Sequence, residues 1–215
     1  LKLLPSGAAG DLPVKARAMV DVALRNSEQL QRLISDLLDF NKTLAGQMPI
    51  HPETIELSSA IEDACEGNGA MARHYRIPLN AEPSRAQHVF ADPMRLRQIL
   101  DNFISNAIKF SPLEGTVRVR TEVAASDRVR ITVSDQGKGV PEHFLPRLFH
   151  RFAQAEAGST RAKAGTGLGL AISRELATMM GGEVGYYYDS GAHFWVELPA
   201  ADAEVPETGE RHENP

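Results

Sequence analysis

Positions Met19, Ala23, Asn26, Leu30, Leu33, Leu37, Phe40 and Leu44 recur at alternating steps of four and three, and all but Asn26 are apolar. This heptad seam predicts a helix from Val14 to about Gln47. A helix of that length with one apolar stripe needs partner helices. Asn26 either sits in the seam, where it would fix register at a cost in stability, or lies at its edge in water; the pattern leaves both open. Before the helix, Leu1 to Leu4 is an apolar stub and Pro5 to Pro13 reads as a loop. The breakers between Gly46 and Pro52 end the periodicity and mark a domain boundary.

Beyond the boundary the period switches repeatedly between two and 3.6. Thr54 to Leu57, Ile77 to Asn80 and His88 to Ala91 read as short strands. A helix from Ser59 to about Tyr75 has Ser59 and Glu62 as a capping box, with Gly67 and Gly69 weakening it. Asp92 caps a helix running to about Phe110, whose buried face is Leu96, Ile99, Leu100, Phe103, Ile104 and Ala107. Val117–Val123 and Val129–Val133 alternate strictly and form a hairpin, and Glu183–Tyr188 with His193–Leu198 form a second. Between the hairpins, Ile172 to Met180 has helical periodicity. Residues 200–215 are acidic, contain Pro and Gly, and predict a disordered tail or linker.

At 215 residues with 42% hydrophobic content, one ordinary core and a smaller second element are within reach. A net charge of −5 argues against a general nucleic-acid or membrane-surface role. The single cysteine, Cys65, excludes an internal disulfide framework and a cysteine-built metal site. No run reaches the length of a membrane span. A first residue of Leu rather than Met is expected of a piece of something longer.

Four clusters carry chemistry. Gly165-Thr166-Gly167-Leu168-Gly169 opens a helix, and glycines there let a polyanion approach N–H groups at a helix start. It is not the G-x-G-x-x-G fingerprint, because position 170 is Leu, and no P-loop string occurs. Asn102 and Asn106 lie four apart on one helix face, with Lys109 nearly a turn further on. An amide oxygen suits Mg²⁺ that already carries a polyphosphate, and an ammonium neutralises a terminal phosphate; read alone, the two asparagines are equally solvent-facing residues. Asp135-Gln-Gly-Lys-Gly139 follows a strand, where a carboxylate accepts from an exocyclic amine and glycines let backbone pass a flat ring; alone it is a strand-to-turn connection. Leu148-Phe149-His-Arg151-Phe152 either anchors a mobile lid or is a surface helix with two core phenylalanines.

In this order and spacing the clusters resemble the N, G1, F and G2 boxes of the ATP-binding domain of sensor histidine kinases, in the GHKL superfamily with gyrase and MutL. The likeness spans residues 53–199, and residues 14–47 resemble the second helix of the dimerisation and histidine-phosphotransfer hairpin. The resemblance implies an α+β Bergerat fold, a two-layer sandwich of a mixed sheet of about five strands with three helices on one face. It implies three segments: 1–48, a partial hairpin; 53–199, the ATP-binding domain; and 200–215, the tail.

Carried over by residue, it implies ATP and Mg²⁺ as ligands. Asn106 would hold the metal, Asn102 a water or metal contact, Lys109 phosphate, and Asp135 the adenine amino group above the Gly137 and Gly139 turn. The run of Gly165, Thr166, Gly167, Leu168 and Gly169 would hold phosphates, and Phe149 and Phe152 would pin a lid of residues 153–164. Arg151 and Arg161 would be further phosphate contacts. Partners implied are a response-regulator receiver domain and a second copy through the hairpin, with no nucleic acid and no direct membrane contact. A cytoplasmic location is expected, with any membrane anchor of the intact protein lying upstream.

Two departures stand out. Many relatives have Gly-Ser-x-Phe where this chain has Gly191-Ala-His-Phe194, so a hydroxyl contact is lost. The family's phospho-accepting histidine lies in a motif like His-Glu-Leu-Arg-Thr-Pro, and none of His51, His74, His88, His143, His150, His193 or His212 does. The expected function is therefore the ATP-binding part of a histidine kinase that moves the γ-phosphoryl to a histidine outside these residues, then to a regulator aspartate. The alternative is a degenerate kinase or phosphotransfer module that docks a regulator without kinase activity.

Overall fold

The computed structural model describes residues 13, 16–17, 19–20, 22–24, 26–27, 30–31, 34, 48–82, 88–125, 127–154 and 166–201. The chain divides into two compact units, Leu1–Met48 and Pro49–Pro215. In the first, every described residue from 16 to 34 is helical. Met19, Ala23, Asn26 and Leu30 are all exposed, so within one chain Asn26 and its described seam neighbours face outward. Leu33, Leu37, Phe40 and Leu44 lie outside the described residues.

The second unit runs β1 (Glu53–Glu56), α1 (Leu57–Tyr75), β2 (Leu79–Ala81), β3 (His88–Ala91), α2 (Pro93–Phe110), β4 (Val117–Ala125), β5 (Arg128–Ser134), a 3₁₀ turn (Glu142–Arg147), α3 (Gly169–Met179), β6 (Glu183–Tyr188) and β7 (Ala192–Pro199). Five strands form one sheet in the order β2-β4-β5-β7-β6. The β2–β4 pair is parallel and the others antiparallel, so the sheet is mixed. The expected strands β1 and β3 leave it and pair with each other as a two-stranded ribbon.

Register sorts the side chains by face. Val119, Val133, Phe194 and Tyr186 form one cross-strand row, and Thr121, Ile131, Val196 and Val184 the next. The helices pack on this side: Phe103 of α2 meets Phe194 with ring centroids 5.8 Å apart. Phe103, Ile99, Ile104, Ile131 and Val196 are fully buried, and each large apolar side chain so placed contributes about 1.5–3 kcal/mol. The opposite face is covered by its own polar and aromatic side chains. Arg130 lies 4.4 Å over the Trp195 ring, and Tyr187 stacks on His193 at 4.5 Å.

Helix ends explain why α1 and α2 start where they do. Asp92 caps α2 as expected: Oδ1 accepts from Met94 N at 3.0 Å and Arg95 N at 3.1 Å, with Pro93 at the first helical position. Its Oδ2 accepts from His51 N at 2.9 Å. Burial alone would raise this carboxyl, but the three N–H donors and the Arg95 charge outweigh it and hold Asp92 below the usual aspartate range. At α1 the expected Ser59–Glu62 capping box does not form. Glu56 is the cap, accepting from Ser58 N at 3.1 Å and Ser59 N at 2.8 Å, which places Ser59 inside the helix. Nor do Gly67 and Gly69 interrupt α1, which ends at Arg76 in the left-handed region, φ 58°. The Arg97 guanidinium of α2 lies where a Gly67 Cβ would stand, so the glycine admits close helix approach. At the other end of the unit, Ala200 bridges to Val89, so order extends just past the expected start of the tail; residues 202–215 lie outside the described residues.

Candidate functional site

The site forms where one face of α2 meets two glycine-bearing segments. Asn102 and Asn106, half-buried on that face, touch: Asn106 Nδ2 donates to Asn102 Oδ1 at 3.4 Å. The Asn102 amide donates in turn to Ser173 Oγ at 2.9 Å, reaching across to α3. Gly169, the first residue of α3, abuts the Asn102 amide so closely that a Cβ there would coincide with it. The α3 N-terminus is thus drawn onto the asparagine pair. Both asparagines are therefore half-buried and hydrogen-bonded rather than fully solvent-facing.

Leu168 precedes α3 as its cap residue, and no side chain caps the helix. The first-turn N–H groups keep the partial positive charge of a helix start. Leu168 is buried and its own N–H donates to Thr166 Oγ1 at 3.1 Å. Gly167 turns the chain at φ 70°, and a Cβ there would stand 2.9 Å from the Phe152 backbone. The chain just before residue 155 and the chain just after residue 165 therefore meet. Phe152 itself takes φ 55° and is 65% exposed, so it is not a core phenylalanine. Phe149 is half-buried and Arg151 exposed, while Phe144 and Leu148 supply the buried anchor of this turn. Gly165 and Arg161, and residues 155–164 of the expected lid, lie outside the described residues.

At the other side of α2, β5 ends and the Asp135–Val140 loop begins. Asp135 is 4% exposed; its N–H donates to Ala192 O at 2.9 Å, and its Oδ1 accepts from Gly137 N at 2.6 Å. A Gly137 Cβ would stand 2.6 Å from the carbonyl oxygen of Phe110, the last residue of α2. Gly139 has φ 72° and packs against Tyr186 and Tyr188 of β6. Lys109 is half-buried in the last turn of α2, one residue before that contact.

Several contributors escape a reading by motif. Ser173 reaches Asn102 across 71 positions, and only its place one turn into the glycine-led helix hinted at it. Gly191 is required because the Asp135 carbonyl occupies the place of its Cβ. Beside Ala192, His193 bridges Ser134 Oγ through Nδ1 at 2.7 Å and Asp189 O through Nε2 at 3.0 Å.

Among the described residues no helix is long and apolar enough to cross a membrane. Residues 91–202 match the family described as histidine kinase-, DNA gyrase B-, and HSP90-like ATPase. The signal transduction histidine-protein kinase BarA of Escherichia coli K12 is 31% identical over 81% of this chain, and the sensor protein GacS of Pseudomonas syringae pv. syringae 35% over 81%. This chain spans 20% of the length of each. The structure of full-length ShkA in complex with AMPPNP superposes with a TM-score of 0.76 at 31% identity, covering 92% of this chain and 42% of that one. The mixed sheet, the helices on one face and these matches agree: the chain belongs to the histidine kinase-, gyrase B- and HSP90-like ATPase family and carries an ATP-binding domain of the sensor histidine kinase type.

Proposed function

We propose that this chain is the catalytic portion of a two-component sensor histidine kinase that binds Mg·ATP and passes its γ-phosphoryl to a histidine, then to the aspartate of a response-regulator receiver domain. The observation that carries the reading is the position of α2 between two close backbone approaches, Asn102 against Gly169 and Phe110 against Gly137. A nucleotide laid along α2 would have phosphates at the α3 N-terminus and its base at Asp135.

Each group then has a role set by what its atoms are already doing. Asp135 Oδ1 accepts from Gly137 N, which orients the carboxylate assigned to the adenine amino group. Gly137 and Gly139 let the loop close on Phe110 and on the β6 tyrosines beneath the assigned base. Asn102 is a positioning residue, because its Nδ2 is held by Ser173 and its Oδ1 accepts from Asn106. Asn106 Oδ1, on the other end of that amide, is the oxygen assigned to the metal. The donor set fits: a neutral amide oxygen is the kind of hard ligand that Mg²⁺ takes beside phosphate oxygens. Mg²⁺, when bound, neutralises charge on the terminal phosphates.

Lys109 is assigned to phosphate, as are Arg151, Arg161 and the segment Gly165, Thr166, Gly167, Leu168 and Gly169. Phe149 and Phe152, just before residues 153–164, are assigned to pin the lid. In the transfer, the bond from the γ-phosphorus to the β–γ bridging oxygen breaks, a bond to an imidazole nitrogen forms, and ADP leaves. The acceptor is a histidine outside these 215 residues. Residues 1–48 are assigned to the dimerising hairpin; the exposure of its described seam positions Met19, Ala23 and Leu30 supports a homodimer, and the setting is assigned as cytoplasmic. A degenerate, non-catalytic module is disfavoured because Asn102, Asn106, Asp135 and the glycines are all present.

Calorimetric titration tests the reading. The chain should bind Mg·ATP, and Asn106→Ala should lose more affinity for Mg·ATP than for ADP without metal. Equal losses would remove Asn106 from the metal.

A further inference from the structure

The Asp135–Val140 loop is anchored at its far end by a residue that lies outside all four motifs. Val140 N–H donates to the Tyr186 hydroxyl of β6 at 2.9 Å. The same hydroxyl would stand 2.7 Å from a Cβ at Gly139, and Tyr188, two residues along the same strand face, closes the other flank at 2.5 Å. Gly139 is therefore held in its left-handed turn between two phenol rings. The near end of the loop is fixed separately, by Asp135 N to Ala192 O at 2.9 Å and Gly137 N to Asp135 Oδ1 at 2.6 Å.

Tyr186 is an unusual choice for its place. Its strand row is Val119, Val133 and Phe194, on the helix-packed side where an apolar residue would serve. A phenol placed there needs a partner for its polar tip, and the loop N–H supplies it. The ring is also held from behind: it meets Phe194 at 5.1 Å, and Phe194 meets Phe103 at 5.8 Å. Phe103 is fully buried and follows Asn102 in α2. One aromatic stack thus joins the loop beside Asp135 to the helix that bears the asparagines.

We propose that Tyr186 is a positioning residue of the nucleotide site, acting through Val140 to hold the Asp135–Val140 loop in its binding conformation; this rests on the assignment of that loop to the adenine base. Gly137 and Gly139 make the loop costly to order. Without the tether the loop spends less time in the binding arrangement, and apparent affinity falls by the fraction lost. Tyr186→Phe removes the hydroxyl and keeps the ring.

Two measurements on the same variant decide the matter. Amide hydrogen exchange at residues 136–140 should quicken by about fivefold or more, as expected for the loss of one partly buried hydrogen bond, while β5 amides such as Ile131 and Val133 keep their protection. Affinity for Mg·ATP should weaken by a similar factor. Tyr187→Phe is the control, since that hydroxyl accepts from Arg120 at 2.8 Å on the opposite face and should change neither quantity. Unchanged exchange at Val140 in Tyr186→Phe would overturn the proposal. So would faster exchange spread evenly through β5, because the hydroxyl would then support the fold rather than the loop. If the unaltered chain does not bind Mg·ATP, the adenine assignment fails, and the exchange comparison still decides whether the tether exists.

Discussion

Asn102 of α2 donates its side-chain amide to the Ser173 hydroxyl of α3 at 2.9 Å, so the two helices that flank the proposed phosphate site are joined by one hydrogen bond. Ser173 is 1% exposed. Ser173→Ala should cost about 1 kcal/mol in urea denaturation, the usual net worth of a partly buried bond, and should weaken Mg·ATP binding severalfold by loosening the α3 start. In a double-mutant cycle, adding Ser173→Ala to Asn102→Ala should cost little more than Asn102→Ala alone. Fully additive losses would mean that the pair is not coupled.

Asp135 already spends one oxygen on the Gly137 N–H at 2.6 Å. Asp135→Asn can keep that bond with its amide oxygen, so the turn at Gly137 should hold its shape. The other position then presents N–H toward the adenine amino group, donor against donor. Preference for ATP over GTP should shrink in competition binding. A preference that survives intact would remove Asp135 from base recognition.

Asp92 gives a prediction in pH. Its carboxyl is held below the ordinary value by three N–H donors and the Arg95 charge, against the opposing effect of burial. A group depressed in the folded state contributes stability above its unfolded pKa, about 4 for Asp, and loses it as pH falls through the folded value. Asp92→Asn keeps one accepting oxygen for the cap but cannot also accept from His51 N, so at pH 7 it should lose about 1–2 kcal/mol, the range for one bond left unmade. The gap between the two proteins should narrow below about pH 4. Urea midpoints at pH 7 and pH 3 read it out, and a constant gap would exclude the ionised cap.

Asp92 was legible because its signal is local: a carboxylate followed by proline and an apolar period of 3.6 has few other readings. The hairpin β4–β5 is legible for the same reason, being two alternating runs across a short turn, and the expected pairing of β6 with β7 also forms. At the start of α1 both Glu56 and Ser59 offer oxygens, and because Glu56 accepts the Ser59 N–H, the capping box the sequence predicts at Ser59 does not form. What sequence does not carry is pairing between distant elements. Nothing local says that β2 joins β4 in parallel, that β1 and β3 form a ribbon of their own, or that Ser173 meets Asn102. Tyr186 is one of three consecutive tyrosines in the sequence, and its role depends on which loop crosses that edge.

The last prediction concerns phosphoryl transfer. An acceptor atom must lie in line with the γ-phosphate, and charge stabilisation around the phosphates acts only once that atom is in place. None of the seven histidines lies in a motif like His-Glu-Leu-Arg-Thr-Pro. His193 shows how far one of them is from such a role: its Nδ1 bonds Ser134 Oγ at 2.7 Å, its Nε2 bonds Asp189 O at 3.0 Å, and its ring stacks on Tyr187. Both ring nitrogens are occupied by structure. Incubation with γ-labelled Mg·ATP should therefore leave these 215 residues unlabelled while nucleotide binding is intact. A longer chain that includes a histidine in the family motif should acquire an acid-labile phosphate. Acid-labile label on the 215 residues alone would show that one of their own histidines accepts the phosphoryl group, and would overturn the assignment of the acceptor to another segment.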